Sequence, residues 1–284
     1  MQTLTTHTTQ FNTFITKLAT KFQPLQIFSF SKNSLITTNQ GCFTKQPSEI
    51  HCNYCLLLVT ESATRIDYEV QDLANLHYQQ GTITVICHSK HCIEKAIAAN
   101  SSFFIRLYAE AELIYNHNGM FSIESIPAYI ATDAAEKAQK HYGHRFSVAE
   151  GFYLGASECL QNWKQHAVCV FMLHQAVEQL CIGLISVHLA YRAEFHNLNR
   201  LLHLCACFSQ APLQLFTATA EDRRLFTILT KSYSDARYRA SFTVSQKDAI
   251  ALCDKVSDFT ALATSLCDEK IAELEGVKEI EVLV

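Results

Sequence analysis

The longest apolar run of the chain, residues 167–190, carries His174, Gln175, Glu178 and Gln179 in its middle. That combination restricts the fold more than any other feature. A helix that crosses a bilayer needs roughly 20 mostly apolar residues, and a carboxylate near its centre is costly. A helix on the surface of a globule shows a single apolar stripe, but Leu180, Leu184, Val187 and Leu189 do not fit on one narrow stripe. The run is therefore expected to be a helix of a soluble bundle, covered on most sides by the N-terminal part of the chain or by a second copy of the bundle. A buried carboxylate also needs a partner, and Arg237 is the candidate partner of Glu178.

The rest of the sequence falls into two classes. Up to residue 126, helix and strand signals alternate. Phe11, Phe14, Ile15, Leu18 and Phe22 are spaced for a helix over residues 10–22, which Pro24 ends. Residues 25–30 read as a short strand. Residues 32–48, with Gly41 and Pro47, read as a turn or hairpin. Residues 54–59 are a nearly continuous apolar run, as in a strand buried on both faces. Residues 67–79 return to helical spacing, Gly81 breaks it, and the β-branched run 82–87 is a strand. Residues 90–100 form a short helix, 101–107 are aromatic-rich, and 113–115 suit an edge strand. Such alternation indicates an α/β domain with a mixed sheet.

The class changes near Ile126-Pro127. From Asp133 onward no strand is apparent. Thr132 or Asp133 can cap a helix starting at Ala134, and residues 147–165, 165–192, 196–208, 220–239 and 245–272 are further helical patterns. Ser245 suits an N-cap, with Asp248 as a carboxylate in the first turn. The acidic tail from Leu274 is expected to fray. The expected architecture is α+β with two domains: a mixed-sheet domain over residues 1–126 and an all-α bundle over residues 133–272.

Composition narrows the function. The formal net charge is −4 and no Lys/Arg cluster stands out, so no DNA footprint is expected. The 12 Cys and 13 His do not form a disulfide framework. The N-terminus lacks the basic start and apolar run of a signal peptide. The thiols are read as reduced and mostly buried, and the protein as cytoplasmic, with no membrane partner. His51-Cys52-Asn53-Tyr54-Cys55 and His88-Ser89-Lys90-His91-Cys92 hold zinc-type donors. Cys52 and Cys55 straddle a strand start, however, where side chains alternate between faces, so ordinary buried Cys and surface His are expected. There is no Gly-rich phosphate loop, no Gly-x-Ser-x-Gly and no His-Glu-x-x-His. No metal and no cofactor are expected.

Three segments carry a family resemblance. The run from His166 to Glu178 has a His174-Gln175-Ala176-x-Glu178 core. Phe195-His196-Asn197-Leu198 follows, and then Tyr233-Ser234-Asp235-Ala236-Arg237-Tyr238. In order and spacing together they resemble the HEPN family, over about half the chain. The resemblance implies an antiparallel helical bundle, a homodimer formed through that bundle, and a link to nucleotides or RNA. It makes His174, Gln175, Glu178, His196 and Arg237 the candidate ligand-binding residues, with a polar groove near a dimer axis lined by Arg237 and His196. The bland alternative is a polar group that only fixes bundle register. Active HEPN ribonucleases resemble one another in an Arg followed, after four to six residues, by a His. No Arg in this sequence has that spacing, and only three residues separate Arg192 from His196.

The N-terminal part resembles a nucleotidyltransferase in strand order. Gln26 to Ser31 stands for its first strand and Gly-Ser turn, Asn53 to Val59 for its Asp-x-Asp strand, and Thr82 to Ile86 for its third carboxylate strand. Phe30-Ser31, Asn53 and Cys55, and Thr82 and Thr84 replace the family's residues. Without acids such a site would not hold Mg²⁺. No catalytic residue is assigned. The expected function is a non-catalytic nucleotide- or RNA-binding or protein-interaction module, a regulator descended from a two-domain toxin–antitoxin-like or nucleotide-metabolism module. The competing class is an enzyme, either an atypical HEPN endoribonuclease or a nucleotidyltransferase with relocated acids.

Overall fold

The computed structural model describes the backbone of residues 2–37, 49–117 and 126–282, and the side chains of residues 8–34, 51–117 and 126–276. The chain forms two units, Met1–Ile130 and Ala131–Val284.

The first unit runs α1 (Gln2–Phe22), β1 (Gln26–Thr37), β2 (Glu49–Thr60), α2 (Asp67–His77), β3 (Ile83–Ser89), α3 (Lys90–Ala98), α4 (Ser102–Glu110), β4 (Glu112–Asn116). Its sheet has the order β3-β2-β1-β4. β1 is antiparallel to β2 and β4, and β2 is parallel to β3 across the α2 connection. The sheet is mixed, as the alternation implies. Leu56, Leu57, Leu58 and Val59 of β2 are buried on both faces. On one face Phe11, Phe14, Ile15 and Leu18 of α1 and Val70 and Ala74 of α2 join Ile27, Tyr54, Leu56 and Leu58. Elsewhere Tyr108, Phe103 and Phe104 of α4 meet Phe28, Phe30 and His88. The aromatic-rich segment is thus a helix. The turn expected around Gly41 and Pro47 lies outside the described residues.

Two details fix this sheet. Gly81 has φ 137°, and a Cβ there would fall 2.0 Å from the Cys52 carbonyl oxygen, so only glycine lets the chain enter β3 against β2. The Asn53 carboxamide accepts from the Thr82 N–H at 2.9 Å and holds the same junction. The outer edge of β3 is capped by α2. Gln71 accepts from the Val85 N–H at 3.1 Å and donates to the Ile83 carbonyl at 2.7 Å, as a neighbouring strand would. Asp67 accepts from the Cys87 N–H at 3.2 Å. Side chains thereby satisfy backbone groups that would otherwise template pairing with another chain. Phe30-Ser31, expected at a turn after the first strand, lies inside β1 at a bulge between Ser29 and Ser31. The strand continues to Thr37 because it keeps its antiparallel partner.

The second unit is helical throughout its described residues: α5 (Ala134–Gln161), α6 (His166–Leu189), α7 (Leu198–Cys205), α8 (Ala211–Thr217), α9 (Ala220–Tyr238) and α10 (Gln246–Val282). The helices expected from Ala134 and from residue 147 are one. The short α8, with proline in its first turn, was not resolved by periodicity. α10 continues past Leu274 instead of fraying there. Ser245 caps it by accepting from the Asp248 N–H at 3.1 Å, and Thr219 and Asp222 close a capping box on α9.

α6 is the core. Most residues from Cys169 to Val187 are buried. By length and composition this helix could cross a membrane, but most of it is buried inside the unit. α5, α7, α9 and α10 all pack on it, so its own bundle supplies cover on several sides. α5 approaches closely at Gly183, where a Cβ would meet the Phe146 ring at 2.9 Å. The described cysteines are free thiols and mostly buried, with Cys92 exposed.

Two predictions follow from these contacts. Gln71→Leu should lower stability in urea unfolding by roughly 2–6 kcal/mol, because two buried backbone groups lose partners at about 1–3 kcal/mol each. No change would mean the β3 edge is satisfied in another way. Burial also holds His203 down to about 4, and burial, with the nearby charges of Arg237 and His196, holds His174 down to about 3. Below the ordinary value of 6.5 the unfolded chain takes up protons that the folded chain refuses. The stability from these groups is full above that pH and is lost as pH falls towards the folded values. Each contributes at most about 1.4 kcal/mol per pH unit. Denaturant titrations from neutral to mildly acidic pH should show the decline, and His203→Gln should flatten it.

Candidate functional site

The polar group of α6 lies on consecutive turns of the core helix. Glu178 is buried at 3% relative exposure, so its carboxylate cannot be left without a partner. His196 supplies one, its Nδ1 lying 2.8 Å from Glu178 Oε1. His196 itself is exposed and sits just before α7, where Asn197 caps the helix by accepting from the Arg200 N–H at 3.0 Å. The His-Asn-Leu start of α7 therefore has a local reason: Asn197 stops the chain in an extended conformation and leaves His196 aimed back at α6. Burial raises the Glu178 carboxyl, against the lowering effects of the His196 hydrogen bond and charge and of Arg145. Its second oxygen is buried and has no partner among the described residues.

Tyr233 of α9 is the hub of the cluster. Its ring lies 5.0 Å from that of buried His174 and 6.2 Å from the nearly parallel ring of His196. His174 Nδ1 is 3.2 Å from the Gln175 amide nitrogen. One turn along α9, Arg237 lays its guanidinium 4.3 Å from the centre of the Tyr233 ring and 5.6 Å from that of Phe171, and its Nε donates to the Tyr233 carbonyl at 2.6 Å. Arg237 is exposed. The expected Glu178–Arg237 ion pair is not made. Arg237 stays at the surface on its aromatic support, and Glu178 takes the nearer His196.

His174, His196 and Arg237 thus meet one tyrosine, with Gln175 joined to His174 and Glu178 to His196. Tyr233 and Phe171 were not singled out from the sequence. Their signal was helical spacing: Tyr233 and Arg237 are four apart on α9, and Phe171, Gln175 and Glu178 follow the α6 repeat. Gln179 faces another way and accepts from Arg145 Nη1 at 2.7 Å. Chemically the cluster offers a cation supported by aromatic rings, an exposed imidazole held by a buried carboxylate, and a flat aromatic face.

The zinc-type donors do not converge. Cys52 and Cys55 are buried, with Cys52 Sγ 3.1 Å from the Ser34 hydroxyl, while His51 and His91 are exposed. Among the described residues no three His, Cys, Asp or Glu side chains are grouped to hold a metal.

Residues 144–266 match the family model of the HEPN domain. Among curated proteins, none matches the chain. The matched stretch holds α6 to α9 with most of α5 and α10, and hence the whole cluster around Tyr233. Over residues 144–266, within its C-terminal half, this chain is thus similar to the HEPN domain.

Proposed function

We propose that the cluster of His174, Gln175, Glu178, His196, Tyr233 and Arg237 is a non-catalytic binding site for a nucleotide or an RNA nucleotide. The observation that carries this reading is the exposed Arg237 guanidinium held over Tyr233 beside an exposed His196. A cation for phosphate thereby lies next to flat rings for a base. HEPN domains are generally linked to nucleotides or RNA, in agreement with the chemistry of the site. The missing Arg-x4–6-His spacing speaks against family-type ribonuclease activity. In the N-terminal unit, the nucleotidyltransferase-like reading rests on strand order. Asn53 is engaged with Thr82, and Cys55 is buried where acids would be needed, in keeping with a degenerate, non-catalytic domain used as scaffold. Phe30-Ser31 inside a strand counts against the family's Gly-Ser turn.

A second reading, an atypical endoribonuclease, is favoured by the Glu178–His196 hydrogen bond alone, since a carboxylate-oriented imidazole suits proton transfer. Homodimerisation through the bundle, at the protein's working concentration, is supported by the family and by the exposed Leu154, Trp163 and Val168 of α5, its connection to α6, and the first turn of α6.

Isothermal titration with AMP and GMP tests the site. Arg237→Ala and Tyr233→Ala should each weaken binding by about 1–3 kcal/mol, the scale of a lost stacking or charge-assisted contact. Unchanged binding in both variants would remove the site. Intact RNA after prolonged incubation is expected. Cleavage abolished by His196→Ala would favour the enzyme instead. Light scattering should give a dimer mass at micromolar concentration, and a monomer would refute the assembly.

A further inference from the structure

We infer that α5, together with Arg192, forms a basic surface that takes the phosphate backbone of a single-stranded RNA running on from the Tyr233 site; this rests on the reading above. Residues 137–149 contain Lys137, Lys140, His141, His144 and Arg145 and no Asp or Glu. At 3.6 residues per turn these five positions share one face of α5. Lys140, His141 and His144 are exposed. Arg192, exposed in the segment after α6, brings its charge to the same place. Partial burial, and then the charges of Arg145, Lys140, His144 and Arg192, hold the His141 imidazole below its ordinary value.

The two ends of the surface differ. At its start Lys137 is 3.8 Å from Asp133. At its other end Arg145 hydrogen-bonds Gln179, and its charge acts on Glu178, the residue that holds His196. The basic face therefore ends beside the turn of α6 that carries Glu178. The acid that meets this stretch from another helix is Asp268 of α10, at Tyr142. No Lys/Arg cluster stood out in the sequence because this one is assembled from a helix face and a distant loop residue.

The surface suits phosphates rather than a lipid headgroup layer. A helix that lies in a membrane interface needs large apolar side chains beside its cations. Here Tyr142 and Phe146 are half-buried in the bundle. It suits a single strand because the neighbouring aromatic site needs an unstacked base.

The test compares AMP with a fluorescein-labelled single-stranded RNA of about 12 nucleotides on the full chain, a length within the usual range of single-strand sites. The variant combines Lys140→Gln, His144→Gln and Arg192→Gln. All three side chains are exposed and none belongs to the Tyr233 cluster. The RNA should bind more tightly than AMP. The variant should lower the steepness of its salt dependence by about 1.4 for two lost Lys/Arg contacts, which is roughly a sevenfold difference in response to a fourfold rise in salt. AMP affinity should not change. An RNA no tighter than AMP, or a variant with the same salt slope, overturns the surface. Phosphatidylserine vesicles or duplex DNA binding better than the RNA, through the same three residues, overturns the choice of partner. If AMP fails to bind while the RNA keeps its variant-sensitive slope, the Tyr233 reading fails and the basic surface stands.

Discussion

The Glu178 carboxylate is buried in the helix against which the other long helices of its unit pack, and His196 hydrogen-bonds to it. The conditions at this position organise much of the unit. Each fully buried aliphatic side chain of α6 contributes about 1.5–3 kcal/mol relative to exposure, so the helix is driven to the centre. A carboxylate carried there is tolerated only with a partner. His196 reaches it because Asn197 caps α7 at that point. His174, one turn before Glu178, is buried and held neutral, and its ring meets Tyr233. The interaction that makes a buried acid bearable thus also holds the exposed His196 near the Tyr233 ring.

Arg237 shows how geometry overrides simple charge matching. A guanidinium paired with Glu178 would have had to leave water. On α9 it instead keeps its charge at the surface and rests on Tyr233 and Phe171, where cation–π contact costs little desolvation. The result is an accessible cation next to aromatic rings.

In the N-terminal unit the comparable device is the β3 edge. A parallel strand with one free side exposes N–H and C=O groups, and Gln71 and Asp67 on α2 occupy them. Gln71 is one of the few buried polar residues of the unit, and its amide matches a peptide group in donor and acceptor. Asn53 is used in the same way at the start of β3, where its side chain does structural work.

Much of this was legible in the chain. The apolar run 54–59 and the alternation around it gave a mixed sheet, and the run 167–190 gave a covered helix, because burial on several faces leaves a mark in composition that needs no knowledge of neighbours. Ser245 and Asp248 gave a helix start because capping is local. The polar set on α6, with His196 and Arg237, could be gathered as candidates from spacing and resemblance. Which helices pack on α6, which partner Glu178 takes, that Tyr233 meets both His174 and His196 and that Arg145 joins α5 to α6 were decided only by the tertiary structure. The physical reason is that hydrogen bonding and cation–π contact act over a few ångströms between residues far apart in sequence, whereas periodicity reports only that a side chain is buried and never against what.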